Sequence, residues 1–194
     1  MEERSRRIVD AAIELAEQGG FEAVRLRDVA AHAQVALGTL YRRFRSKEDL
    51  LLAALEQKLG AYERGLRASP PAGETPLLRV GEFFAGFTDA LCDRPNLARA
   101  LVRAIASGAP ELTLKVASFH ERTELLITAA LRGERVQPEL IAPSPVERRL
   151  AHSLLLVWFA SLTGWASGLH EQREILAHTR SAAELMLDAG VRSP

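Results

Sequence analysis

The sequence holds one cysteine, Cys92, and only three lysines, two tryptophans and two tyrosines in 194 residues. A single cysteine excludes an internal disulfide, which fits a reducing cytoplasm. Its apolar neighbourhood, FTDALC, marks it as a buried structural thiol rather than a redox sensor. No run of about 18 apolar residues occurs, so nothing is expected to span a membrane. The charged start, MEERSRRIVD, carries no expectation of a secretory signal. Net charge is missing too: 25 basic side chains face 25 acidic ones, so any contact with nucleic acid must be local. Strand-like alternation and internal repeats are absent. So are a glycine-rich phosphate loop, HExxH, GxSxG and Cys/His ligand spacing. The five histidines are scattered, and His170-Glu171 lacks a second histidine at the required offset. Neither an enzyme, a metal site nor a cofactor is expected.

What is present begins with a local excess of charge. From Arg25 to Lys47 the basic residues are Arg25, Arg27, Arg42, Arg43, Arg45 and Lys47, set against the single acid Asp28, a net +5. The overlapping stretch Leu26 to Leu50, LRDVAAHAQVALGTLYRRFRSKEDL, carries three short helical signals with tight connections. Leu26, Val29, Ala30 and Ala33 fall at i, i+3, i+4 and i+7, one face of a helix. Gln34 and Val35 form a brief connection, with Val35 as the apolar plug between the flanking helices. A second short helix is expected over residues 37–44, with Leu40 and Phe44 inward and Thr39, Tyr41, Arg42 and Arg43 outward. Small residues at Ala36 and Gly38 allow its first turn to approach another surface closely. Ser46 opens the next helix with Asp49 three residues on as a capping box, and Lys47 lies where backbone N–H groups welcome a phosphate. A basic helix–turn–helix is the electrostatic footprint of a duplex-DNA reader, whose second helix enters the major groove.

VALGTLYRRFRSKEDLL resembles the signature of TetR-family transcriptional regulators: Gly38, Thr39, Leu40, Tyr41, Phe44, Ser46, Lys47, Leu50 and Leu51 match at their own positions. The form AxVAxGTLYRxF is also similar to repressors of the KstR type, which control steroid degradation. Three positions depart from the pattern. The usual turn glycine is Gln34, the usual Ser or Thr cap is Ala36, and the common Tyr or His before the phenylalanine is Arg43. The resemblance covers residues 5–59 at the motif level. It implies DNA contacts from Arg25, Arg27, Leu37, Gly38, Thr39, Tyr41, Arg42, Arg43 and Lys47. It also implies repression relieved by a small molecule, and a two-fold dimer on a pseudo-palindromic operator of double-stranded DNA.

Along the chain, residues 5–18 form an amphipathic helix ended by Gly19-Gly20, after which Phe21 is expected to return and pack on its apolar face. A longer helix over 46–67 carries Leu50, Ala54, Leu55 and Leu59 at core spacing. ASPPAG, residues 68–73, breaks the chain and sets the expected boundary: 1–67 for the DNA-binding head with its connecting helix, 68–194 for ligand binding and dimerisation. Further helices are expected from Thr75-Pro76 to Cys92, over 95–107, from 111 to near Gly133, from Ser144-Pro145 to near Gly168, and over 171–189, with a proline-punctuated loop over 136–145. The fold class is therefore all-α: a three-helix head and a helical bundle, about nine helices in all.

The bundle carries a bulky stripe of Phe83, Phe84, Phe87 and Leu91, with Leu101, Val102, Ile105, Phe119, Leu126, Trp158, Phe159 and Leu162 as further apolar surface. Ordinary core and dimer seam account for each singly. Together they can line a pocket between helices, for which Phe83, Phe87, Leu91, Leu101, Ile105, Phe119, Thr123, Leu126, Trp158 and Leu162 are the candidates. Polar groups at its edge would be Thr88, Arg103, Thr123, His120 and His152. An apolar lining suits a hydrophobic effector: a lipid, a sterol-like compound or an acyl thioester. The last two helices mix large and small apolar residues, too much exposed apolar surface for a monomer, and so suit a homodimer interface. The competing reading is an all-helical protein-interaction module with a degenerate head, kept open by Gln34 and Ala36.

Overall fold

A computed structural model describes residues 3–135 and 141–191. Among the described residues the structure is helical and contains no strand. The helices are α1 (Glu3–Ala23), α2 (Leu26–His32), α3 (Leu37–Tyr41), α4 (Lys47–Ala68), α5 (Pro76–Cys92), α6 (Pro95–Ile105), α7 (Thr113–Arg132), α8 (Pro145–Ala166) and α9 (Gln172–Val191), with one 3-10 turn at Pro110–Leu112. No described helix is long and apolar enough to cross a membrane. Residues 136–140 of the expected loop lie outside the described residues. Packing divides the chain into two compact units: Met1–Lys58 with Leu91–Val116, and Leu59–Ala90 with Ala117–Pro194.

In the first unit α1 breaks at the expected glycines, with Gly20 in left-handed geometry at φ +68°, and continues for one more turn to Ala23. Ile8, Val9, Ala12 and Ala16 are fully buried along its inner face. The residue that returns to the core is Val24, also fully buried, and not Phe21, which stays half-buried. The reason is electrostatic. The Phe21 ring face holds two cations, Lys47 Nζ at 3.9 Å and the Arg103 guanidinium at 4.2 Å, which must keep contact with water. α6 packs along α1, and Asn96 Nδ2 donates to the Glu17 carbonyl at 2.9 Å. This helix falls within the expected 68–194 segment, but its apolar face (Leu97, Ala98, Leu101, Val102) is buried within the unit that contains the head.

In the second unit α8 and α9 pack along each other. An aromatic stack runs through the core: Tyr62 on Phe87 at 5.1 Å, and Phe87 on Trp158 at 4.9 Å. Its polar atoms are satisfied, as burial requires. Tyr62 Oη donates to the Phe83 carbonyl at 2.7 Å, and Trp158 Nε1 donates to Thr88 Oγ1 at 2.9 Å. Burial, with the Asp89 carboxylate second, raises the Tyr62 phenol well above its ordinary pKa. Gly86 lets that phenol in, since a Cβ there would stand 2.9 Å from Tyr62 Oη. Glu63 is buried between arginines. Burial pushes its carboxyl up, but hydrogen bonds from Arg67 and Arg122 outweigh this and hold it below its ordinary range.

Helix ends in this unit are closed by side chains. Arg79 donates from Nε to the Ala130 carbonyl (2.9 Å) and from Nη2 to the Leu131 carbonyl (2.6 Å), covering the open end of α7. Ser144 and Glu147 form a full capping box at the start of α8. Arg132 reinforces it through Nε to Glu147 Oε1 at 2.7 Å. The Arg132 hydrogen bond, followed by those from Ser144, lowers the Glu147 carboxyl from 4.5 to about 2 against the opposing effect of burial. A depressed carboxylate contributes stability above pH 4.5, and that stability is lost as pH falls toward about 2. Glu147→Gln, which cannot titrate, is therefore expected to flatten the fall in urea-unfolding free energy across this window by about 1 kcal/mol, discounted for partial solvation. Parallel slopes for variant and parent would remove Glu147 as the cause.

Candidate nucleic-acid interface

The head is built from α2 and α3 and the turn that joins them. Val29, Ala30 and Ala33 are buried, so α2 presents its expected face inward, while Arg25 and Arg27 stay exposed at its start. At its end the Gln34 N–H donates to the Ala31 carbonyl (3.1 Å) and the Val35 N–H to the Ala30 carbonyl (3.0 Å). This is the paired closure that places a left-handed residue just past a helix. Gln34 occupies that position with φ +54°, alone among the described non-glycine residues. The departure from the usual turn glycine thus leaves the geometry of the turn in place and transfers its cost to backbone strain. Val35, the expected plug, is half-buried.

Ala36 precedes α3 and offers no side-chain cap; its carbonyl accepts from Thr39 N–H (2.8 Å) and Leu40 N–H (3.2 Å). The helix ends at Tyr41, not at Phe44. Arg42 and Arg43 form a turn, because the chain must become non-helical before Ser46 can cap α4. Leu40 and Phe44 nevertheless point inward as expected, with the Phe44 N–H still donating to the Leu40 carbonyl at 2.9 Å. The outward set is Gly38, Tyr41 (53% exposed), Arg42 and Arg43, with Leu37 and Thr39 half-buried beside them. Arg42 Nη2 donates to Thr39 Oγ1 at 3.2 Å, which orders both on one face. Gly38 has no packing reason to be glycine: a Cβ there would meet nothing within 4 Å. A helical glycine costs up to about 1 kcal/mol against alanine, so its use here fits a surface that another molecule approaches.

At the start of α4, Ser46 Oγ accepts from the Asp49 N–H at 3.1 Å. The expected box closes one residue early, since the Asp49 carboxylate accepts from the Arg45 N–H (2.9 Å) and not from that of Ser46. The same buried carboxylate also binds Lys115 Nζ. Lys47 is held by Glu22 Oε2 at 3.2 Å, while Arg103 Nη2 holds Glu22 Oε1 at 2.9 Å. Lys47, then Arg103, pulls the Glu22 carboxyl below its ordinary range. The cluster of Phe21, Glu22, Lys47 and Arg103 was not foreseen. Its only sequence trace was the aromatic–acid pair following the helix-ending glycines.

The bundle residues are placed as follows. Phe83, Phe87, Leu91, Leu101, Phe119, Thr123, Leu126, Trp158 and Leu162 are buried, and Ile105 is half-buried. Leu91, Leu101 and Ile105 belong to the first compact unit and the other seven to the second. Thr123 Oγ1 donates to the Phe119 carbonyl (2.8 Å), and His152 Nδ1 meets Glu124 Oε1 at 2.7 Å. His120 Nε2 is buried with no hydrogen-bond partner, and burial lowers its pKa. Arg103 belongs to the Glu22 cluster and not to a pocket edge.

Residues 8–54 match the bacterial regulatory proteins of the tetR family. The chain is similar to the HTH-type transcriptional repressor KstR of Rhodococcus jostii (strain RHA1), with 31% identity over 194 residues, 99% of this chain and 86% of that one. Its fold is similar to that of a TetR transcriptional regulator from Rhodococcus sp. RHA1, with a TM-score of 0.82, 24% identity and 95% of each chain covered. It also resembles the transcriptional regulator FadR from Bacillus subtilis in complex with stearoyl-CoA, with a TM-score of 0.67, 22% identity, and 93% of this chain and 96% of that one covered. A helix–turn–helix head with an exposed basic face on a helical chain of zero net charge defines a DNA-binding transcriptional regulator. The chain belongs to the TetR family and, within it, to the KstR type.

The strain at Gln34 is directly testable. Gln34→Gly relieves a left-handed cost of ~1–2 kcal/mol and adds ~0.5–1 kcal/mol of unfolded-state entropy. Thermal melting is expected to rise by a few degrees, roughly 0.5–1 kcal/mol in stability. A lower melting temperature would show that the glutamine side chain contributes more than its backbone costs.

Proposed function

We propose that the chain acts as a homodimeric repressor that grips a pseudo-palindromic operator with α2 and α3 and is released by a small hydrophobic effector. The observation that carries the DNA assignment is the outward face of α3, where Gly38, Tyr41 and Arg42 stand clear of the protein's own packing. In this reading Leu37, Gly38, Thr39, Tyr41 and Arg42 meet base edges and the nearest phosphates. Arg25, Arg27, Arg43 and Lys47 contact the flanking backbone. Lys47 serves a phosphate by leaving or sharing Glu22. Gln34 still makes the turn, which weighs against a degenerate head.

Two recognition helices must lie ~34 Å apart to enter successive major grooves, so the reader works as a dimer. Leu156 on α8 (47% exposed) and Leu185 on α9 (72% exposed) supply the apolar surface for a two-fold seam. Residues 1–67 serve as the DNA-binding head with its connecting helix, and residues 68–194, apart from the α6 segment that packs in the head's unit, serve effector binding and dimerisation, in the cytoplasm. The stearoyl-CoA complex of the FadR fold neighbour supports an apolar effector of the lipid, sterol-like or acyl-thioester class. Its site is proposed within the second unit, where Phe83, Phe87, Phe119, Leu126, Trp158 and Leu162 form the buried apolar body behind it.

Tyr41→Ala with Arg42→Ala is expected to weaken operator binding by at least about tenfold, since each base-edge contact is worth ~1–3 kcal/mol. Fold and dimer should be unchanged, because both side chains are exposed. Fluorescence anisotropy with a labelled operator reads the first, and thermal melting with light scattering reads the second. Unaltered affinity would remove these residues from the interface.

A further inference from the structure

Between α5 and α9 the second unit opens into a cleft of about 350 Å³. At ~30 Å³ per water-sized group this holds roughly a dozen methylene-sized groups, and it falls within the range of small-ligand sites. Leu77, Phe84 and Leu176 are among its apolar walls, and Gly81, Ala85 and Ala183 keep it deep. None of the ten apolar and threonine residues picked from the sequence borders it.

Three features point to an occupant. Gly81 lies inside α5 without a left-handed φ, and a Cβ there would meet nothing within 4 Å, so the helix bears a glycine whose missing side chain is open space. Leu78, also on the lining, is 49% exposed. The polar groups are mostly committed: Thr179 Oγ1 donates to the Ile175 carbonyl (2.7 Å), and Glu82 accepts from the Ala72 N–H (2.8 Å). Arg180 is the cation of the lining and binds Glu184 through Nε at 3.0 Å, a contact that uses one of its five N–H donors. The cleft face of α9 (Leu176, Thr179, Arg180, Ala183) lies roughly 150° around the helix from the exposed seam near Leu185, at ~100° per residue. A dimer closed through that seam leaves the cleft open.

We propose that the α5–α9 cleft binds an amphipathic acid, its apolar chain or ring system along Gly81, Phe84 and Leu176 and its carboxylate on Arg180. In linking the cleft to DNA release, the inference rests on the reading of the chain as an effector-released repressor. Calorimetric titration of the full chain with dodecanoate, with dodecanol as the uncharged control, tests it. The parent is expected to bind both. Gly81→Leu should weaken both by about tenfold or more, by filling the space without touching the backbone. Arg180→Ala should weaken dodecanoate alone by about tenfold. No binding by the parent, or equal binding by Gly81→Leu, overturns the proposal. So does conversion of the dimer to monomer by Gly81→Leu, which would give the cleft to a second copy of the chain. Operator release separates the two ideas. If dodecanoate still binds and releases Gly81→Leu, the repressor reading stands and the cleft falls. If binding depends on Gly81 but the operator is never released, the cleft stands and its role as the effector site falls.

Discussion

A single buried carboxylate organises the DNA-reading unit. Asp49 accepts the Arg45 N–H and Lys115 Nζ while its own N–H is capped by Ser46 Oγ, so the end of the α3 turn, the start of α4 and the first turn of α7 share one charge. A carboxylate this deep is costly unless every lone pair is engaged, and here the engagement fixes the angle at which the chain leaves α3. Since α3 itself makes barely more than one turn, its placement depends on that exit and on the strained turn at Gln34 before it. Leu40 and Phe44 then hold it to the core from between these two anchors.

Around this anchor the charges are arranged for exchange. Glu22 holds Lys47 from α4 and Arg103 from α6, and Phe21 stacks under both. Lys47 at the mouth of α4 is neutralised by Glu22, which also holds α6 through Arg103, so a phosphate taken up by Lys47 would compete with the α6 contact for one acid. Repression relieved by a ligand needs such an element only to have two states of differing DNA affinity. The coupling is then reciprocal: a ligand that weakens DNA binding by some factor is itself weakened by DNA by the same factor.

Much of the fold was legible because its signals are local. Gly19-Gly20 mark the break within α1, and Thr75-Pro76 and Ser144-Pro145 mark helix starts within a residue, since caps and breakers act through the nearest backbone groups. The outward and inward sets of α3 followed from the positions of Leu40 and Phe44, although the helix stops three residues earlier than its periodicity suggests. What was not legible depends on pairing across the sequence. Phe21 reads as a core residue until Lys47 and Arg103 come to its face, and Val24 takes the expected place. α6 has the apolar period of any bundle helix, and nothing in it announces that α1 is its partner. In the bundle, core and pocket draw on the same residue types, so aromatic bulk draws attention to Phe87 and Trp158, which fill a stack, and to Phe83, which tilts against it. The open space lies where side chains are small, beside Gly81 and Ala183, and small residues leave little mark on a hydrophobic pattern.

A basic face that reads sequence must do more around α3 than attract phosphate. Selection of genomic DNA fragments by the purified protein at physiological salt tests it most directly, because nonspecific charge attraction weakens steeply as salt rises. Recovery of one motif with two-fold symmetry and half-sites about one helical turn apart is expected. Recovery of fragments without a shared motif, with binding erased by salt, would contradict it.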